Sequence, residues 1–132
     1  MKSYFAVTGI VMFNDKILIL KKHPDDRNYP NYWSFVSGFV KEFEAGEDTM
    51  MREMKEETGL DGEIVKTGEV IEAFDEKNNK TWVVKPFLLK VNSDKVKLCH
   101  ENTDFKWVTL EELMTVKFVP GLKQDLKSVG LL

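Results

Sequence analysis

The chain has 132 residues and a mass of 15.3 kDa, the size of one ordinary domain, which leaves no room for a second catalytic domain. With 42% hydrophobic and 31% charged residues, including 9 Phe, 3 Trp and 3 Tyr, the composition is that of a packed globular protein and excludes intrinsic disorder. A net charge of -3 and a pI ≈ 5.5 argue against a protein held on nucleic acid by backbone charge alone, so any bound phosphate needs a local device.

Lys2 precedes an apolar run over residues 4–13 that imitates a signal peptide. The run is rich in β-branched and aromatic residues, has no small-residue cleavage site, and leads through Asn14-Asp15-Lys16 into a second apolar run over 17–20. A β-hairpin is the expectation, and no stretch approaches the roughly 18 apolar residues of a membrane span. Residues 23–31 carry Pro24, Asp25, Asp26, Asn28 and Pro30, which is loop chemistry, and 32–36 read as a short strand. Residues 47–58 contain no Pro or Gly and stop at Gly59, as a helix does. Strands are expected over 63–74 and 81–91, joined by a turn-rich linker over 75–80, with a last strand over 105–108. Thr109-Leu110-Glu111-Glu112 has the form of a capping box, and Pro120 is placed to start a final helix toward Gly130. No repeat or linker divides the chain, so the expectation is one α/β layered domain over residues 1–132 with a mixed sheet. A single cysteine, Cys99, excludes an intramolecular disulfide, and 2 His are too few for a Cys/His zinc site; a reducing cytoplasm is the expected location.

The chemistry concentrates on the helix. Glu53, Glu56 and Glu57 stand at i, i+3 and i+4, so their carboxylates share a face, while Met50 and Met54 point to the core. Like charges at i, i+4 cost an isolated helix roughly 0.2–0.5 kcal/mol, and Glu53 with Glu57 is such a pair. A hard divalent cation, Mg²⁺ or Mn²⁺, offsets that repulsion because it prefers carboxylate, water and phosphate oxygens. Taken alone, the helix reads equally as a solvated acidic face balanced by Arg52 and Lys55.

The surroundings decide between the two. Gly38, Glu44, Arg52, Glu53, Met54, Glu56, Glu57, Gly59 and Leu60 occupy every fixed place of the pattern Gx5Ex7REUxEExGU, where U is bulky and apolar. This run resembles the Nudix box, whose seven identities in register arise by chance about once in 10⁹ starting points. The rest of the chain resembles the Nudix hydrolase domain more loosely. The resemblance implies an α/β/α sandwich around a mixed β-sheet. It also implies metal binding by Glu53, Glu56 and Glu57, with Arg52 orienting the glutamate beside it and Glu53 as a candidate base. Gly38 brings its carbonyl close to a metal, and Glu44 reaches Arg52. Many relatives read Trp-x-x-Pro-Gly-Gly and then Gly-Glu, whereas this chain has Trp33-Ser34-Phe35-Val36-Ser37-Gly38 and then Phe43-Glu44, which puts the loop path around Ser37 and Phe43 in question.

Outside the box, Lys22 ends the second strand where relatives present a basic residue to substrate phosphate, with a merely solvated strand end as its alternative. Glu101 resembles an acidic residue supplied from a late loop as a further metal ligand or base, and Glu72 is an outlying candidate. Trp33 and Trp107 stack a base or, as is commoner for tryptophan, fill the core. The implied activity is hydrolysis of a nucleoside diphosphate linked to a group X, with a nucleoside triphosphate pyrophosphohydrolase the nearest type by compact length. ADP-ribose, dinucleoside polyphosphate or nucleotide-sugar hydrolysis are the alternatives. Guanine-specific relatives use a downstream amide, where this chain has Phe118-Val119-Pro120-Gly121-Leu122. A non-catalytic binding module would lose box carboxylates that are intact here, and a prenyl diphosphate isomerase would place a cysteine upstream of the box, whereas Cys99 lies downstream. The expected partner is a small-molecule nucleotide bound by a monomer or homodimer, with no nucleic acid and no membrane.

Overall fold

The computed structural model describes residues 2–76 and 78–132. The opening hairpin forms as expected: β1 (Lys2–Phe13) and β2 (Lys16–Lys22) pair antiparallel from Phe13↔Lys16. Asn14 (φ 47°) and Asp15 (φ 66°) supply the two left-handed residues of a tight turn, a conformation their short polar side chains tolerate. β3 (Trp33–Ser34) pairs with β2, and β4 (Val36–Phe39) pairs with β1. The single strand expected over 32–36 is therefore two strands that part at Phe35 to join different neighbours. The helix α1 (Gly46–Thr58) ends at Gly59 (φ 73°), whose N–H donates to the Lys55 carbonyl at 2.9 Å.

The strand expected over 63–74 is also divided, into β5 (Gly62–Thr67) and β6 (Ile71–Asp75). Gly68 separates them, its N–H turned to the Pro86 carbonyl at 2.8 Å and its Cα pressed against Ser128, where a side chain has no space. β7 (Lys80–Val91) runs parallel to β1 from Lys2↔Lys80 to Met12↔Lys90 and carries both β5 and β6 on its other edge. The expected 75–80 turn joins β6 to β7, with Lys77 outside the described residues. β8 (Asn102–Val108) pairs with β2, and the capping box of α2 (Leu110–Leu113) closes reciprocally between Thr109 and Glu112. α3 (Leu122–Ser128) begins after Gly121 (φ 102°), so Pro120 stands just outside the helix instead of in its first turn.

The alternation along β1 and β2 builds two cores on one mixed sheet. Val7, Val11, Leu18 and Leu20 pack with Met50 and Met54 of α1, whereas Ile10, Ile17 and Ile19 pack with Leu113 and Leu126 beneath α2 and α3. This is the expected α/β/α sandwich. Full burial of Met50 and Met54, each 0% exposed, is worth about 1.5–3 kcal/mol apiece and fixes which face α1 turns outward. Among the described residues no helix is long and apolar enough to cross a membrane.

Candidate functional site

With Met50 and Met54 anchored inward, the helical period puts Glu53 and Glu57 against β4. Gly38 on β4 comes so close to Glu53 that a Cβ there would overlap the glutamate's Cγ, Cδ and Oε1. Gly38 is needed for this close approach and not for a left-handed backbone, since its φ is not positive.

Arg52 organises the carboxylates. Its Nε and Nη2 donate to the two oxygens of Glu44 at 2.9 Å each, and its Nη1 donates to Glu53 Oε1 at 2.8 Å. Thr49, fully buried, donates its hydroxyl to Glu44 Oε1 at 2.8 Å. These donors, Arg52 first and Thr49 second, hold the Glu44 carboxyl down to about 2, and the same pairing drives the Arg52 guanidinium above its ordinary value. The result is a chain Thr49–Glu44–Arg52–Glu53 that fixes one oxygen of Glu53. Phe43, just before Glu44, adopts φ 62° with its ring wholly exposed. The loop thus keeps a left-handed path without a glycine, at a steric cost of about 1–2 kcal/mol.

The three helix glutamates do not share one environment. Glu57 is 5% exposed and the Glu53 side chain 14%, while the Glu56 side chain is 58% exposed and turned to Arg52 Nη1 at 3.4 Å. Glu53, Glu57, Gly38, Lys22 and Glu101 line one cavity of about 540 Å³, and Glu56 does not. Burial, reinforced by the Glu53 charge and its hydrogen bond and then by Glu101, pushes the Glu57 carboxyl up to about 9, against the pull of Lys22. Its Oε2 is buried with no hydrogen-bond partner, a position that costs about 1–3 kcal/mol.

These features fit a hard divalent cation. The donor set is all oxygen, one buried carboxylate oxygen lacks a partner, and the missing side chain at Gly38 gives the Glu53 carboxylate the room to lie against β4. Among the described residues no three carboxylate, imidazole or thiol groups converge into a ready-made cage. The fold supplies a carboxylate pair with open positions, which suits an ion that keeps water and phosphate among its ligands.

Two elements bring the outside residues to this cavity. The β2–β8 ladder shifts register between Lys21 and Lys22, setting Lys22 opposite Asn102, and His23 Nε2 lies 2.7 Å from the His100 carbonyl oxygen, tying down the chain beside Glu101. The His23–His100 contact spans 77 residues and has no local sequence signal. Lys41, Ser37, Asp26 and Asn102 also line the cavity and were not picked out from sequence; a lysine three residues past Gly38 was the available hint. Glu72 is exposed on β6 and does not line it. Trp33 is buried in the second core, and Trp107 packs on Phe13 while its Nε1 donates to the Asp94 carbonyl at 3.1 Å, so both tryptophans are structural.

Known proteins resemble this chain in sequence or in fold. Nudix hydrolase 2 of Arabidopsis thaliana is 29% identical over 115 residues, which are 83% of this chain; the chain spans only 40% of that relative's length. The MutT NUDIX hydrolase from Burkholderia pseudomallei superposes with a TM-score of 0.84 at 20% identity, over 98% of this chain and 99% of its own. A bifunctional NMN adenylyltransferase/ADP ribose pyrophosphatase from Francisella tularensis, complexed with AMP and a Mn ion, has a TM-score of 0.75 at 18% identity over 95% of this chain and 40% of its own. The NUDIX domain model matches residues 3–127, almost the whole of the sandwich and all of the box, and the chain belongs to that family of hydrolases.

Proposed function

We propose that this chain hydrolyses a phosphoanhydride bond in a nucleoside diphosphate linked to a group X, in the first instance a nucleoside triphosphate, releasing a nucleoside monophosphate. The observation that carries this reading is the Glu53–Glu57 pair, with Glu57 buried and one of its oxygens orphaned, lining a cavity that also holds Lys22. Glu53 and Glu57, joined by Glu56, Glu101 and the Gly38 carbonyl, are the groups to hold Mg²⁺, with Mn²⁺ as its substitute. When bound, such an ion neutralises the polyphosphate and acidifies the attacking water. Arg52 keeps Glu53 in place and Glu44 keeps Arg52 in place. Lys22 meets phosphate charge at the end of β2, and Glu101 acts from the β8 side as a further ligand or as the base. The test is a screen of nucleoside triphosphates, ADP-ribose, dinucleoside polyphosphates and nucleotide sugars with Mg²⁺ or Mn²⁺, resolving products by chromatography. Cleavage of at least one class is expected, and cleavage of none overturns the reading.

A further inference from the structure

Glu101 reaches the cavity from just outside the sheet. The β2–β8 ladder pairs Lys21 with Asp104 and then Lys22 with Asn102, so Thr103 is passed over and the pairing ends one residue short of Glu101. Glu101 itself is exposed in the turn before β8. The next cross-link comes from a side chain. His23, the first residue after β2, reaches across the end of the ladder and donates its Nε2–H to the His100 carbonyl at 2.7 Å. A carbonyl offers only lone pairs, so this nitrogen carries the hydrogen, in the neutral ring as in the imidazolium.

The same residue governs the loop beside Lys22. The His23 carbonyl accepts the N–H of Asp26 at 3.1 Å and that of Asn31 at 3.3 Å, closing residues 23–31 on themselves. Asp26 Oδ1 in turn accepts the N–H groups of Asn28 at 3.1 Å and Tyr29 at 2.8 Å, and its Oδ2 stands 4.0 Å from Lys22 Nζ. Lys22, Asp26, Glu101 and Asn102 all line the cavity, and His23 does not. One residue outside the cavity thus joins the loop that sets Lys22 to the turn that carries Glu101. The bond to His100 lies at the surface and outside both cores, so the fold does not depend on it.

We infer that His23 is a positioning residue whose ring, through the His100 carbonyl, keeps Glu101 on the cavity with Glu53 and Glu57, and this rests on the hydrolase reading above. The ring touches neither substrate nor reacting atoms and acts only through Glu101. Without the bond, the turn before β8 is free to swing and carries the carboxylate out of reach of the reacting water, where neither a ligand nor a base can serve. Every side chain at position 23 keeps the backbone carbonyl, so replacing the ring cuts the tie to His100 and leaves the Asp26–Lys22 arm intact. The loss should therefore fall on kcat, where Glu101 acts, and spare KM, where Lys22 acts.

The experiment measures nucleoside triphosphate hydrolysis at saturating Mg²⁺ for His23→Ala, His23→Leu and His23→Gln, each alone and combined with Glu101→Gln. His23→Ala and His23→Leu should lower kcat about 3- to 10-fold, the equivalent of one hydrogen bond, with KM near the parental value. His23→Gln, whose side-chain amide offers an N–H at a reach similar to that of Nε2, should recover most of the loss. In the Glu101→Gln background the same changes should cost little, because the tie then positions a side chain already disabled. Parental kcat in His23→Ala, equal losses with and without Glu101→Gln, or no recovery in His23→Gln overturns the inference. Amide hydrogen exchange over residues 99–103, read without substrate or metal, should quicken in His23→Ala and His23→Leu and return to the parental rate in His23→Gln. Absence of turnover in the parent is failure of the hydrolase reading, whereas parental turnover with exchange unchanged in His23→Ala is failure of the tie itself.

Discussion

Gly38→Ala isolates the positioning of Glu53 from its charge. Gly38 sits in β4 opposite Val7 with a backbone that alanine adopts, so the strand itself tolerates the change. The new Cβ falls on Glu53, a flexible side chain that yields by swinging away. That movement breaks the 2.8 Å bond from Arg52 Nη1 and separates the carboxylate from Glu57. A charge-assisted hydrogen bond is worth about 1.5–3 kcal/mol, so kcat should fall roughly 10- to 100-fold. The assay is steady-state hydrolysis of the best nucleoside triphosphate across a Mg²⁺ titration, with circular dichroism to confirm the fold. Because the two changes act through the same carboxylate, Gly38→Ala added to Glu53→Gln should cost little beyond Glu53→Gln alone. A folded Gly38→Ala protein with parental kcat and Mg²⁺ dependence would refute the claim that close packing against β4 sets Glu53 in its working position.

Lys22→Ala should mainly raise KM and Glu101→Gln should mainly lower kcat, since a phosphate contact acts already in the ground state and a ligand or base acts on the reacting water; steady-state kinetics on one substrate separates the two. Phe43→Gly relieves a left-handed phenylalanine whose ring is fully exposed, and should stabilise the fold by about 1 kcal/mol, seen as a rise of about 3–5 °C in Tm. Burial pushes the Asp125 carboxyl up to about 7 from 3.8 in the unfolded chain. The folded state therefore holds the extra proton between those values, and its contribution to stability is full below pH 4 and lost as pH rises toward 7. Asp125→Asn should flatten that slope and stabilise the protein at pH 8 by about 1–2 kcal/mol, the full linkage being discounted for solvent that still reaches the carboxyl; a denaturant melt at pH 5 and at pH 8 measures it, and an unchanged slope would count against burial as the cause.

The glutamate helix and its approach were legible because their residues are contiguous. Period, caps and the fixed spacing from Gly38 to Leu60 all lie within one stretch of chain, and the two methionines tell which way the helix faces. The capping box at Thr109 and the Asn14-Asp15 turn were legible for the same reason, each being decided by its own side chains. Other features depend on partners far away in sequence. The break between β5 and β6 follows from Gly68 bonding to Pro86 and abutting Ser128, and nothing near Gly68 announces either. Placement of Glu101 relies on a register shift in β8 and on His23 reaching His100. The rings of Tyr4, Phe39 and Trp82 meet only because β1 is parallel to β7 and antiparallel to β4. Glu53, Glu56 and Glu57 share a helix face but not an environment, since Glu56 turns to Arg52 at the surface while Glu57 is buried, a difference that helical period does not encode.

The central claim is that hydrolysis depends on a divalent cation held by Glu53 and Glu57. The direct measurement is the rate of nucleoside triphosphate cleavage by the parent, Glu53→Gln and Glu57→Gln proteins, each with Mg²⁺ and with excess chelator. Glutamine keeps the shape of each side chain and removes the charge that binds a hard cation. Activity in the parent should disappear with chelator, and both variants should remain folded while losing orders of magnitude in kcat. Cleavage that continues undiminished in chelator, or parental rates in both variants, would contradict the account and return the helix to a solvated acidic face.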